Sequence, residues 1–102
     1  MSFEDRLINA CIRGDYKEVE ATADSLGPNI DYQDNDGLTA LMWASANGYL
    51  EIVEYLIREK SANPNIKNNK GKTALDLAKE NRHEEVAEFL RKAGAKHGNE
   101  ID

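Results

Sequence analysis

The sequence predicts an all-α solenoid of three helix-turn-helix repeats, six helices in all, joined by short β-turn or hairpin fingers. Three observations carry that prediction. The segments RLINACIRGDYKEV, TALMWASANGYLEIV and TALDLAKENRHEEV align, with Leu7, Leu41 and Leu75 spaced 34 apart and Ala10, Ala44 and Ala78 spaced alike. The stretches between them, GPNIDYQDNDG and SANPNIKNNKG, both end in glycine, at Gly37 and Gly71. Within each segment the apolar residues recur at helical spacing. Self-similarity at a fixed period of this size marks stacked units, none of which can bury its own apolar face alone.

The elements follow in order. Thr39 and Thr73 each come after a glycine turn and before an apolar pattern, where a threonine hydroxyl accepts an orphan N–H of the first helical turn. A short helix is expected from about Ala40 to Asn47, with Leu41, Ala44 and Ser45 on one small-residue face. Gly48 ends it in the left-handed conformation, and Asn81 is expected to take the same place in the third unit. A second helix, Leu50 to about Glu59, gathers Ile52, Val53, Leu56 and Ile57 on one stripe, with Glu54 and Arg58 paired four apart outside. Pro64 prevents continuation. QDNDG and NNKG then read as tight turns in which Asn, Asp and Gly supply positive φ. The valines Val19, Val53 and Val86 also align, at spacings of 34 and 33. That register places Ile52 against Glu18 and Glu85, Tyr55 against Ala21 and Glu88, Leu56 against Thr22 and Phe89, and Leu50 against His83. Polar replacements at both ends imply capping units.

Composition sets the limits. The chain has 102 residues, 40% hydrophobic and 31% charged. That is one small globular domain, with no apolar run long enough to span a bilayer and no secretory h-region at the start. Cys11 has no partner for an internal disulfide, which fits a reducing compartment; the cytoplasm is expected, with the nucleus or a host cell as alternatives. The net charge of −6 argues against nucleic acid and anionic membrane as partners. The excess is concentrated: residues 1–36 carry nine acids and three bases, and the rest of the chain is balanced.

These residues resemble a known family. DNDGLTALMWASANGYLEIVEYL and SANPNIKNNKGKTALDLAKENRHEEVAEFLRKAGA look like consecutive ankyrin repeats, and the resemblance runs from about Phe3 to Ala95. The family's T-P-L-H tetrapeptide stands here as Thr39-Ala40-Leu41-Met42 and Thr73-Ala74-Leu75-Asp76, departing at the proline and the histidine. Met42 gives up a polar contact, which implies a slightly less stable middle unit. Ser61 replaces the usual turn glycine, which Gly27 and Gly94 keep. The domain is expected at 1–95, with repeats at about 3–36, 37–70 and 71–95. Residues 96–102 are expected to form a polar C-terminal tail that frays.

Groups able to do chemistry are few. Cys11 aligns with Ser45 at a small buried position. His83 reads as a partly exposed residue of a capping unit, and His97 lies in the tail without a partner. No zinc spacing, phosphate-cradling glycine loop or calcium loop is present. The sequence therefore predicts no catalytic residue, no cofactor and no metal. A small hydrolase or metal-dependent enzyme is the alternative from another class. Self-association as a scaffold is a third reading, although a monomer is expected.

The resemblance implies a non-catalytic protein-protein interaction module, with a partner protein on the concave side formed by turn tips and first helices. Carried over by position, the docking residues are Asn35, Asp36 and Leu38 at one tip, then Ala46 and Asn47. Ile12 and Arg13 are their counterparts in the first unit, and Asn69, Lys70, Lys72, Lys79 and Glu80 belong to the third. Trp43 reads as inter-repeat packing, with an interface-anchor role beside it. Asp34 and Asp36 on one finger face Lys67, Lys70 and Lys72 on the next, a polarity that orients a partner. A dedicated inhibitor or regulatory subunit of a kinase or phosphatase is the alternative within binding.

Overall fold

A computed structural model describes residues 1–25 and 27–101. The chain forms α1 (Phe3–Arg13), α2 (Tyr16–Ala23), α3 (Ala40–Ala46), α4 (Leu50–Arg58), α5 (Ala74–Glu80) and α6 (Glu84–Lys92). Short 3-10 turns cover Gly27–Asp31 and Gly98–Glu100. No strand occurs among the described residues. The helices pair antiparallel as α1–α2, α3–α4 and α5–α6, and the pairs stack side by side.

The stacking surface explains the sequence pattern. Ala10, Ala44 and Ala78 are fully buried in α1, α3 and α5. With only a methyl group at these positions, neighbouring inner helices approach closely. Leu7, Leu41 and Leu75 are buried on the same three helices. Each such leucine contributes about 1.5–3 kcal/mol by burial. The outer helices α2, α4 and α6 touch one another far less than the inner ones do. The inner row is therefore the shorter arc, and the turn tips project on that side.

Helix starts follow the threonines. Thr39 accepts the Met42 N–H at 3.2 Å. Thr73 and Asp76 form a reciprocal capping box, the Asp76 carboxylate taking the Thr73 N–H at 3.0 Å. Asp76 stands where the sequence motif loses its histidine, and it supplies a polar contact that Met42, buried in the middle repeat, does not.

Three expectations are corrected. The left-handed residue of the third repeat is Arg82, at φ 62°, rather than Asn81, whose φ is −95°. Gly14 and Gly48 hold the equivalent positions. The repeat therefore keeps its 34-residue register through α6, and the match of Val53 with Val86 is a coincidence of residue type. Ile52 corresponds to Val86 and Leu56 to Leu90, all four buried. Tyr55 corresponds to Phe89, which packs against the core. Glu85 and Glu88 are simply the exposed face of α6. The polar replacement of core positions thus holds for Glu18 and Thr22 at the N-terminal end, Ala21 being merely small, and the same argument fails at the C-terminal end.

The second correction concerns the counterpart of His83: the residue is half-buried as expected but corresponds to Tyr49 rather than Leu50. It caps α6 as Tyr49 caps α4, and its ring lies on Gly48 of the preceding repeat as the Tyr49 ring lies on Gly14. A Cβ on Gly48 would stand 2.5 Å from His83 Nδ1, and one on Gly14 would stand 2.7 Å from the Tyr49 ring. Glycine here serves both the positive φ and the close approach of the next repeat's ring.

The third is the tail. Residues 96–101 lie hydrogen-bonded against the stack. The Lys96 N–H donates to Asn65 Oδ1 at 2.8 Å, the Gly98 N–H to Asp76 Oδ2 at 2.7 Å, and Lys67 Nζ to the Ile101 carbonyl at 2.8 Å. His97 has a partner after all, since its Nδ1 lies 2.5 Å from Asp76 Oδ1. Asp102 lies outside the described residues.

Candidate docking groove

Two fingers rise from the inner row, and one kind of turn builds both. In the first, the Asp34 N–H bonds the Leu38 carbonyl at 2.8 Å, and Asp34 Oδ1 accepts the amides of Asp36 and Leu38 at 3.0 and 2.9 Å. In the second, Asn68 repeats the pattern, its Oδ1 accepting from Lys70 and Lys72 at 2.9 and 3.0 Å. An Asx side chain closing its own turn fixes the tip without a strand ladder. Gly37 and Gly71 take the positive φ that each turn requires.

The fingers are knit together. The Asn69 N–H donates to the Asp36 carbonyl at 3.1 Å and Asn69 Nδ2 to the Asn35 carbonyl at 3.0 Å. Gln33 Nε2 bridges the carbonyls of Gly37 and Lys67 at 2.8 and 3.0 Å. Asn35 and Asn69 thus serve the finger contact as well as the surface.

Between the fingers and the inner helices lies a hollow of about 370 Å³, lined by Asp36, Leu38, Asn68, Asn69, Lys70, Lys72, Leu77 and Glu80. Most of the expected docking residues of repeats two and three meet here. Leu38 and Leu77 are half-buried and form its apolar floor. Lys72 pairs with Glu80 at 2.6 Å across it. Lys70 and Asp36 make no ion pair among the described residues.

Other expected residues lie elsewhere. Lys79 pairs with Glu84 at 3.1 Å near the α5–α6 turn, and Arg13 pairs with Asp15 at 3.8 Å. Ile12, with 38% of its surface exposed, sits with Arg13 at the end of α1. Ala46 is half-buried at the end of α3, and Asn47 caps that helix. None of these five lines the hollow.

Trp43 does two things. It packs against the core, and its indole N–H donates to Asp34 Oδ2 at 2.9 Å, tying the first finger to α3. It is half-buried. Leu77, Gln33 and Asn68 were missed by sequence reasoning. The signal was available for Leu77, which stands 34 residues after Trp43 on the same face of the next inner helix.

The groups that could do chemistry are otherwise engaged. The Cys11 thiol is fully buried, and burial pushes its pKa up to about 12. Asp76 and His97 pair as carboxylate and imidazole, but the nearby Thr73 hydroxyl is buried and donates to the Lys96 carbonyl at 2.6 Å. Burial works to raise the Asp76 carboxyl, yet the Thr73 and Gly98 N–H donors and His97 outweigh it and hold the group below the usual carboxylate range. Among the described residues no group of three or more His, Cys, Asp or Glu is placed to hold a metal ion. No helix there is long and apolar enough to cross a membrane.

Comparison with known proteins agrees with this architecture. The family model for ankyrin repeats matches three copies over residues 7–101. The chain is 40% identical, at a TM-score of 0.83, to a chain in the structure of the Bd0816 predatory endopeptidase from Bdellovibrio bacteriovorus in complex with immunity protein Bd3460. That match covers 89% of this chain and 47% of the other. A stretch of 62 residues is 37% identical to the palmitoyltransferase AKR1 of Debaryomyces hansenii, covering 59% of this chain and 8% of that protein. The chain thus spans about half the length of the solved chain and a small part of the transferase. By its repeats, their register and the model that spans them, the chain belongs to the ankyrin-repeat family.

Proposed function

We propose that the chain is a non-catalytic protein-interaction module that docks a partner protein on its fingers and inner helices, centred on the hollow between repeats two and three. The observation that carries this reading is the pairing of an apolar floor, Leu38 and Leu77, with a rim of Asp36, Lys70 and the Lys72–Glu80 ion pair. An apolar centre within a polar rim is the make-up of protein interfaces. A stack of this size offers about 600–900 Å² to a partner, which suits modest affinity. The net charge of −6 favours protein over nucleic acid or anionic lipid.

A second reading, inhibitor of an enzyme, is favoured by one observation. The matched solved chain comes from a structure of an endopeptidase in complex with an immunity protein. The weak likeness to a palmitoyltransferase covers 8% of that protein and gives no support to transferase activity here.

The test is capture from native cell extract with three forms of the chain. The wild type and Glu54→Lys, on the outer row, should retain the partner. Leu38→Glu with Lys70→Glu should lose it while circular dichroism stays helical. A partner kept by the groove variant and lost by Glu54→Lys overturns the docking face. If the partner is an enzyme, stoichiometric loss of its activity on adding the chain supports inhibition, and an unchanged rate removes that reading.

A further inference from the structure

The contacts of residues 96–101 repeat those of a finger. Gln33 Nε2 reaches the carbonyl 34 residues on, at Lys67. Lys67 Nζ likewise reaches the carbonyl 34 residues on, at Ile101. The segment therefore occupies the place beside the second finger that the second finger occupies beside the first. Asp76 receives the Gly98 N–H at 2.7 Å and His97 Nδ1 at 2.5 Å, and Thr73 donates to the Lys96 carbonyl at 2.6 Å. Gly98 is buried so close to the second finger that a side chain there would run into the Gly71 carbonyl. Gly71, Lys72 and Thr73 are the root of that finger, and Lys70 and Lys72 are its contribution to the groove.

We propose that Lys96–Ile101 is a strap that holds the second finger in its docking geometry, with the Asp76–His97 contact as its latch. Opened, the strap leaves the second finger held only by its bonds to the first and by the Lys72–Glu80 pair, while the first stays tied to α3 through Trp43 and Asp34. The strap thereby sets the order of one wall of the groove, a regulation that rests on the docking face proposed above. A partner that binds the closed groove stabilises the strap by the same coupling. The mechanical part stands without any partner, so the two are tested apart.

The experiment is amide hydrogen exchange by NMR on the full chain, comparing the wild type with His97→Ala and His97→Gln. The amides of Asn68, Gly71 and Lys72 report the second finger, and those of Asp34, Gly37 and Leu38 the first. The expected result for His97→Ala is about tenfold or more faster exchange in the second finger, the effect of one charge-assisted hydrogen bond on local opening. The first finger should be unchanged, and His97→Gln, which keeps a donor, should recover part of the protection. Strap amides that exchange faster while the second finger stays protected overturn the proposal. So does equal loosening of both fingers and all helices, which would mark general destabilisation. Failure of groove variants to affect partner capture, with the exchange result intact, removes the docking face and leaves the strap.

Discussion

Asp34→Ala is expected to disorganise the first finger and to be visible through Trp43, the one tryptophan of the chain. The carboxylate accepts three N–H groups: Asp36 and Leu38 on Oδ1 at 3.0 and 2.9 Å, and the Trp43 indole on Oδ2 at 2.9 Å. A hydrogen bond to a charged group is worth about 1.5–3 kcal/mol net, and bonds to one shared acceptor do not add in full. The Asp36 bond is exposed, so water replaces most of it, while the other two are partly buried. The expected loss is about 2–3 kcal/mol. Asp34→Asn is the sharper test. Its side-chain oxygen keeps both backbone donors, as Asn68 does in the second finger, but its amide faces the indole N–H with another donor. The expected loss is about 1 kcal/mol, with a coupling of similar size to Trp43→Phe in a double-mutant cycle. Urea unfolding measures each value, followed by tryptophan fluorescence where Trp43 is kept and by circular dichroism in the variants that carry Trp43→Phe. If Asp34→Asn costs as much as Asp34→Ala, or if Asp34→Ala costs under about 0.5 kcal/mol, the finger is not organised in this way.

Three further outcomes are expected. Gly48→Ala and Gly71→Ala impose the same left-handed cost of about 1–2 kcal/mol, but only Gly48 has a neighbour in the way, the His83 ring. Thermal unfolding should therefore place Gly48→Ala clearly below Gly71→Ala, and equal melting points would mean that the ring moves aside freely. Asp76 has a lowered folded pKa, so its stabilisation is present above the ordinary carboxylate value of about 4 and is lost as pH falls through the folded value. Stability measured from about pH 6 down to about pH 2 should drop less in Asp76→Asn than in the wild type, and parallel curves would refute that assignment. Cys11, buried with its thiol pushed up to about 12, should not react with a disulfide reagent at about pH 8 until the chain unfolds. Rapid labelling of the native chain would show that α1 opens locally.

The acid-rich first third of the chain takes on meaning once the stack is in place. Several of its carboxylates are committed to structure rather than to a partner. Asp15 caps α2, accepting from the Glu18 N–H at 3.2 Å. Asp24 receives the Tyr55 hydroxyl at 3.0 Å and Lys60 at 2.5 Å. Asp31 receives the Asn63 N–H at 3.0 Å. On the fingers the expected polarity persists in Asp36 and Lys70 alone, because Asp34 is satisfied by its own turn and by Trp43, Lys72 is paired with Glu80, and Lys67 is drawn to Ile101.

By itself the sequence determined the period, the helix starts and the inner-row alanines. These are local or strictly periodic signals: a threonine cap acts within one turn, and a stacked unit must present the same small residue at the same place each time. Lys70 was legible as surface for the same reason, whereas Leu38, read as exposed at its turn tip, is half-buried against the core. The tertiary structure alone decided which donors and acceptors met between repeats. Trp43 finds Asp34 only once the finger folds back on α3, and Asp76 finds His97 only once the chain has turned round α6. The shift from Asn81 to Arg82 was hidden because an arginine carries no sign of the left-handed backbone that the stacked ring of His83 and the fixed repeat length impose on it.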